Sequence, residues 1–313
     1  MAMPKVAVLL PCFNEAKAIG QVVDSFRAIL PEADVYVYDN NSNDNTSQIA
    51  KAHGAIVRHE YRQGKGHVVR RMFADVDADL YVLADGDLTY HAPSVRKMIE
   101  VLVDERLDMV VGVRKSQEGE TTYRTGHQFG NKLFNVIVGA LFEQRFTDIL
   151  SGYRVMSRRF VKSFPALAKG FEIETQLTVH ALELSLPTAE METPYFSRPE
   201  GASSKLRTYR DGTRILMTIL LLFKEAKPFK FFFSLAIIVA GLSLGFGVPV
   251  VVEYAKTGLV PRFPTAILAT GLGLIGVILF TAGIILDSVS RGNRELRRLH
   301  YLSLKNVSNA APD

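Results

Sequence analysis

Two rhythms of apolar and polar residues alternate along the first two-thirds of this chain, and an unbroken apolar pattern replaces them near its end. Val6-Ala7-Val8-Leu9-Leu10 is an apolar run of strand length, closed by the turn Pro11-Cys12-Phe13-Asn14-Glu15. Ile19, Val22, Val23, Phe26, Ile29 and Leu30 recur at spacings of three and four, which predicts an amphipathic helix stopping at Pro31. A second strand, Val35 to Tyr38, runs into the polar stretch Asp39 to Thr46. A helix from Thr46 to His53, a short strand from Ala55 to Arg58 and a helix opened by Gly64-Lys65-Gly66 are expected next. They lead to a strand over Tyr81 to Ala84, and a further helical segment reaches Leu184. Strands alternating with helices across short loops predict an α/β domain with a mainly parallel sheet covered on both faces. Ligands of such sheets gather beyond the carboxyl ends of the strands.

The pattern changes after about residue 206. Residues 207–228 carry Arg207, Arg210 and Arg214 before the apolar run Ile215 to Phe223, which is too short to span a bilayer. It reads as an interfacial helix, with packing on the preceding domain as the alternative. Two charge-free stretches follow, 22 residues from Phe231 to Val252 and 24 from Phe263 to Leu286. At 1.5 Å per residue each is about 33–36 Å long as a helix, enough to cross a hydrocarbon core of roughly 30 Å. Lys224, Lys227 and Lys230 precede the first stretch, and Arg291, Arg294, Arg297 and Arg298 follow the second. The positive-inside rule then places both termini in the cytoplasm and the short loop outside the inner (plasma) membrane. The expected division is a cytoplasmic domain over 1–206, an interfacial segment over 207–228, two transmembrane helices over 229–287 and a basic cytoplasmic tail over 288–313. No secretory leader is expected before the first strand.

Composition adds little to this picture. The net charge of +5 reflects the juxtamembrane lysines and arginines facing anionic lipid, and is no sign of nucleic-acid binding. The single cysteine, Cys12, excludes an intrachain disulfide and a cysteine zinc site.

The candidate chemistry lies where the strands end. Asp85 and Asp87 follow the third long strand with one residue between them, so both side chains can point the same way. Two converging carboxylates suit Mg²⁺ or Mn²⁺, which keeps several waters and also binds substrate phosphates. Asn14/Glu15 and Asp39/Asn40 also follow strands and are expected at the same edge. Lys65, at a helix start between glycines, can be directed at phosphate oxygens. Arg158 and Arg159 read as solvated surface charges.

These motifs, Pro11-x-x-Asn14-Glu15, Asp39-x-x-Ser42-x-Asp44-x-Thr46 and Asp85-x-Asp87, together resemble family 2 glycosyltransferases. Asp148-Ile-Leu-Ser-Gly-Tyr-Arg154 and Arg198-Pro-Glu-Gly-Ala-Ser203-Ser-Lys205 narrow the resemblance to polyprenyl-phosphate glycosyltransferases, the group containing dolichol-phosphate mannose synthase. The resemblance implies a GT-A fold, a Rossmann-like nucleotide-binding α/β sandwich, with a C-terminal two-helix transmembrane hairpin. It implies inverting, metal-dependent transfer from a UDP- or GDP-linked sugar donor to a polyprenyl (undecaprenyl-type) phosphate acceptor. Pro11, Asn14, Glu15 and Asp39 would then serve the nucleoside, Asp85 and Asp87 the metal-bound diphosphate. The family commonly has two acidic residues where this chain has Asp39-Asn40, which leaves one carboxylate there.

A lipid monophosphate is already largely ionised at neutral pH, so its site needs cations more than a strong base. Arg154, Arg198 and Lys205, with Ser203, are the candidates for holding it. Asp148 stands where the family's base is usually placed, and is read either as that base or as an orienting group for the acceptor or Arg154. One of Glu172 and Glu174 is expected to hold a basic residue nearby. A non-processive transferase acting on a glycolipid or lipid-linked saccharide hydroxyl is the alternative enzyme, and a non-catalytic membrane or flippase subunit the alternative of another class. A homo-oligomer stays open.

Overall fold

A computed structural model describes residues 4–116, 146–170, 172–196, 221, 223–225 and 227–304. The chain divides into two compact units, residues 1–215 with 297–313, and residues 216–296.

The first unit is built on a seven-stranded sheet. In chain order it contains β1 (Val6–Cys12), α1 (Ile19–Ile29), β2 (Asp34–Asp39), α2 (Thr46–Ala52), β3 (Ile56–His59), α3 (Lys65–Asp75), β4 (Leu80–Leu83), α4 (Ser94–Asp104) and β5 (Met109–Ser116). β6 (Arg154–Ser157), α5 (Arg158–Ser163), α6 (Ile173–Glu183) and β7 (Thr188–Tyr195) follow among the described residues. The strand order is β3-β2-β1-β4-β6-β5-β7. β1, β2, β3 and β4 pair in parallel, as do β5 and β7, while β6 runs antiparallel to both of its neighbours. β6 is therefore the one reversed strand in a sheet otherwise of the expected kind.

Strand alternation fills both faces. Val6, Val8 and Leu10 of β1 join Val22, Val23 and Phe26 of α1 and Val95, Met98 and Leu102 of α4 in one buried cluster. Ala7 and Leu9, pointing the other way, are equally buried, as are Val69, Met72 and Phe73 of α3. β6 and β7 carry none of the patterns that mark the first three strands. β6 is four residues long and begins with an arginine, and β7 contains Glu190, Glu192 and Pro194. β7 lies at the edge of the sheet, where a proline costs no ladder bond.

The second unit contains α7 (Pro228–Thr257) and α8 (Phe263–Ser303), 30 and 41 residues long, both long and apolar enough to cross a membrane. Small residues line their seam: a Cβ at Gly247 would meet Ala269 at 3.4 Å, and one at Gly276 would meet Ala236 and Ala240 at 3.6–3.9 Å. The Ser243 hydroxyl donates to the Ala269 carbonyl at 2.8 Å. Close backbones and a satisfied hydroxyl are what helix pairing needs where no hydrophobic effect operates between helices.

Part of the expected basic tail, 288–313, is helical and packed. The last turns of α8 belong to the first unit, where Tyr301 is 5% exposed and donates to Asp108 at 2.6 Å. Arg297 pairs with Glu183 at 2.8 Å and Arg298 donates to the Leu184 carbonyl, so these two arginines bind protein rather than lipid. Arg159 also departs from its surface reading: it grips Asp108 through two bonds of 2.6 and 2.9 Å and lies 4.7 Å from the Tyr301 ring. Asp108 is fully buried, and burying a carboxylate requires such partners.

Candidate active site at the carboxyl ends of the strands

The three polar clusters meet at the end of β1. The loop after β1 is fastened to the loop after β2: the Asn14 amide donates to the Ser42 hydroxyl at 2.9 Å, and the Asn43 amide to the Asn14 side chain at 2.8 Å. The Glu15 amide donates to the Thr46 hydroxyl at 2.9 Å, and the Ala16 amide to Asp44 at 3.1 Å. Gly86 packs against Cys12, since a Cβ there would lie 2.5 Å from the sulfur, so the Asp85-Gly86-Asp87 turn rests on the end of β1. The Cys12 thiol reports the convergence: burial, then the charges of Glu15, Asp85, Asp39 and Asp87, push it well above its ordinary range.

Within this edge the residues divide the work. Asp39 is buried and accepts from the Ser42 amide at 3.0 Å and the Ser47 hydroxyl at 2.7 Å, which shapes the loop after β2. Asn40 explains the missing second acid. Its side-chain nitrogen donates to the Glu60 and Arg62 carbonyls at 2.8 Å, and its oxygen accepts from the Gly64 amide at 2.7 Å. A carboxylate cannot donate to those two carbonyls. Asp87 is 3% exposed and accepts from the Thr89 hydroxyl at 2.6 Å. Asp85 is more open and bonds to Lys65. A cavity of about 140 Å³ opens beside it, lined by Asp85, Leu88, Tyr90, His91 and Phe26 among others.

Lys65 is held by carboxylates, unlike the phosphate-directed lysine expected from the sequence. Gly64 has φ +130° and its Cβ would come 2.2 Å from the Lys169 carbonyl oxygen; one on Gly66 would come 2.4 Å from that of Ala168. Only glycines allow this close approach, which seats Lys65 between Asp85 and Glu174, 2.6 Å from the latter. Burial disfavours the ammonium, but Asp85 and Glu174 outweigh that and hold the Lys65 pKa above its ordinary value. Glu174 is thus the acid that holds a basic residue, whereas Glu172 accepts from the Lys169 and Gly170 amides at 3.1 and 3.0 Å.

Arg154 requires a correction. It is fully buried, and its guanidinium donates to the carbonyls of Ser151 (3.0 Å), Ile149 (2.7 Å) and Glu174 (3.0 Å). Burial pushes its pKa down to about 10. A side chain so committed ties β6 to α6 and cannot also clamp an acceptor phosphate. Asp148, for its part, orients an arginine other than Arg154. Both of its oxygens accept from Arg114, at 2.7 Å each, in the bidentate geometry that fixes a guanidinium most firmly. Arg114 also lies 5.5 Å from the Tyr195 ring, and that ring is within electrostatic reach of Asp87 and Asp85. Arg114 is the residue the sequence reading missed; an arginine at the end of an uninterrupted apolar strand, Met109 to Val113, was the available signal. Arg198, Ser203 and Lys205 lie outside the described residues, as does the 207–228 segment apart from 221, 223–225, 227 and 228.

The donor set fits a hard divalent cation. Asp85 and Asp87 supply carboxylate oxygens, and the Lys65 ammonium on Asp85 demonstrates that this oxygen takes a cation. Among the described residues no group of three or more His, Cys, Asp or Glu forms a cage. One or two carboxylates completed by substrate phosphates and water is the usual arrangement for Mg²⁺ in nucleotide sites.

Comparison with known proteins agrees with this architecture. The family model described as glycosyl transferase family 2 matches residues 7–164. The chain is 30% identical over 299 residues to the glycosyltransferase AglJ of Haloferax volcanii, covering 95% of this chain and 98% of that one. It is 26% identical over 210 residues to a dolichyl-phosphate hexose transferase of the same organism, covering 67% and 90% of the two chains. The fold resembles that of Mycobacterium tuberculosis glucosyl-3-phosphoglycerate synthase, crystallised with Mn²⁺, UDP-glucose and phosphoglyceric acid. That likeness has a TM-score of 0.59 at 24% identity and covers 72% of this chain and 80% of that one.

Proposed function

This chain belongs to glycosyl transferase family 2, and on that premise we propose that it transfers a sugar from a nucleotide sugar to a polyprenyl phosphate at the cytoplasmic face of a membrane. The observation that carries the acceptor assignment is the Arg114–Asp148 pair. With both oxygens engaged by Arg114, Asp148 is an orienting group, and the site offers a fixed cation where a hydroxyl acceptor would demand a free base. An ionised phosphate needs the cation and no base. The two apolar helices supply the membrane contact that a polyprenyl chain requires.

The transfer follows in one displacement. A phosphate oxygen of the acceptor attacks the anomeric carbon, the bond from that carbon to the donor diphosphate breaks, and the diphosphate leaves with the electron pair. The configuration inverts. Arg114, steadied by Asp148 and Tyr195, positions the acceptor phosphate together with Arg198, Ser203 and Lys205. Pro11, Asn14, Glu15 and Asp39 shape the nucleoside pocket, and Asp85 with Asp87 would hold the divalent ion. When bound, Mg²⁺ or Mn²⁺ neutralises the charge growing on the leaving diphosphate.

Incubating the detergent-solubilised protein with a panel of nucleotide sugars and undecaprenyl phosphate, followed by mass analysis of the lipid, tests this reading. A lipid heavier by one sugar residue supports it. A sugar appearing only on added glycolipid hydroxyls would replace it with the alternative acceptor. The basic flanks support cytoplasmic termini. A cysteine introduced at Thr257 should react with an impermeant reagent outside intact cells and one at Ser308 should not; the opposite pattern refutes that orientation.

A further inference from the structure

Lys65 and Glu174 take no part in the displacement, yet both are held beside it. The Lys65 side chain is 10% exposed, touches Asp85 Oδ1 and lies 2.6 Å from Glu174 Oε1. Glu174 is 4% exposed, and its second oxygen, Oε2, is buried with no hydrogen-bond partner among the described residues. A buried carboxylate oxygen without a donor is unusual and points to a group that arrives there under other conditions. Gly152 borders the same spot: a Cβ there would lie 3.1 Å from both Asp85 Oδ2 and Lys65 Nζ, so the missing side chain leaves the lysine room to move.

We propose that Lys65 is a built-in counter-ion that competes with the divalent cation for Asp85, and that Glu174 is the positioning residue that takes the ammonium up when the cation wins. Two cations on one carboxylate oxygen repel strongly in a site of low effective dielectric. Glu174 already holds Lys65 by Oε1, and Oε2 can accept a second of its three donors. The lysine therefore keeps a partner after leaving Asp85, and the metal affinity of the site is set by the difference between the two carboxylates' hold on it. The inference rests on the reading of Asp85 as a metal ligand.

The test measures Mn²⁺ binding to the full-length detergent-solubilised protein by the loss of the free-ion electron paramagnetic resonance signal, with no substrate present. Lys65→Met removes the competitor and should tighten Mn²⁺ binding about tenfold or more. Glu174→Gln removes the alternative partner and should weaken it several-fold, because Lys65 then stays on Asp85. The opposite signs are the signature. A Kd within twofold of the unaltered protein for Glu174→Gln, or shifts of the same sign in both variants, overturns the proposal. Should Lys65→Met fail to fold, Glu174→Gln alone decides, since it keeps the lysine and loses only charge. Product formation by the unaltered protein is scored separately, so failure here and failure of the transferase reading give different results.

Discussion

The two halves of the sheet hold their charges in opposite ways, and a pair of arginines on adjacent strands makes the contrast clear. On β6, Arg154 is sealed from solvent, with three of its N–H groups on main-chain carbonyls and another on the Met109 sulfur. On β5, Arg114 is clamped from one side by Asp148 and rests on Tyr195, with its side chain 17% exposed. The first arginine ties the main chain together, and the second is the one proposed to meet the acceptor phosphate. Both are charged and both sit near the site, so charge and proximity do not separate them. What separates them is burial and partner: Arg154 is sealed and bonded to the main chain, whereas Arg114 is partly exposed and paired with a carboxylate. The same distinction runs through the β1–β4 half, where Asn40 is wholly occupied with main-chain groups while Asp85 faces a cavity.

Breaking the contrast should produce effects of graded size. Replacing Asp87 by Ala should lower turnover by about two to three orders of magnitude, the usual loss when one preorganised electrostatic contact to a developing charge is removed. Normal turnover in that variant, or full activity of the unaltered protein in EDTA, would contradict the metal assignment. Arg154→Met should act on the fold instead, lowering stability in denaturant by about 3 kcal/mol or more, because it strands several buried carbonyls at roughly 1–3 kcal/mol each. If the variant keeps its stability and loses only acceptor binding, Arg154 is no structural tie.

Arg114→Gln should act on both stability and acceptor binding. It removes this cation from the buried Asp148, so stability should fall by about 3 kcal/mol or more. In the folded protein the KM for polyprenyl phosphate should rise by about one to two orders of magnitude, corresponding to roughly 1.5–3 kcal/mol for a charged hydrogen bond. Donor binding by calorimetry should stay the same; loss of donor binding would move Arg114 to the diphosphate side.

A smaller effect concerns His180, 2% exposed beside Phe160 and Phe164. Burial, then the charge of Arg297, pushes its pKa down to about 3. The folded protein therefore keeps it neutral while the unfolded chain protonates it near pH 6.5. Its share of stability is complete above that pH and falls by up to about 1.4 kcal/mol per unit on acidification. Urea unfolding at pH 7.5 and 5.5 should show this slope, and His180→Leu should flatten it; an unchanged slope would assign it to other groups.

How much of this was legible in the sequence differs between the same two halves. β1, β2, β4 and their polar ends could be read because each strand is a short apolar run followed at once by its polar cluster. Asp85 and Asp87 are two positions apart in the chain and directly follow β4, so their placement at this edge needs no tertiary knowledge. The other half depends on pairs distant in sequence. Arg114 and Asp148 are 34 residues apart and Lys65 and Glu174 are 109 apart (174 − 65), so no local spacing announces either pair. Arg154 misled for a physical reason: it stands in a glycine-containing polar motif, and only the antiparallel turn of β6 into the sheet buries it. The packing of Tyr301, within the segment read as a basic tail, was likewise not announced locally, because the buried acid that claims it lies 193 residues away.

The most direct test of the central claim, an acceptor held by its phosphate charge, is a side-by-side assay of undecaprenyl phosphate and undecaprenol with the same donor. The account predicts that only the phosphate is glycosylated, giving a sugar linked through the phosphate, and that Arg114→Gln raises the KM for that acceptor. Comparable transfer to the uncharged alcohol would contradict it, since no cation-held phosphate would then be required.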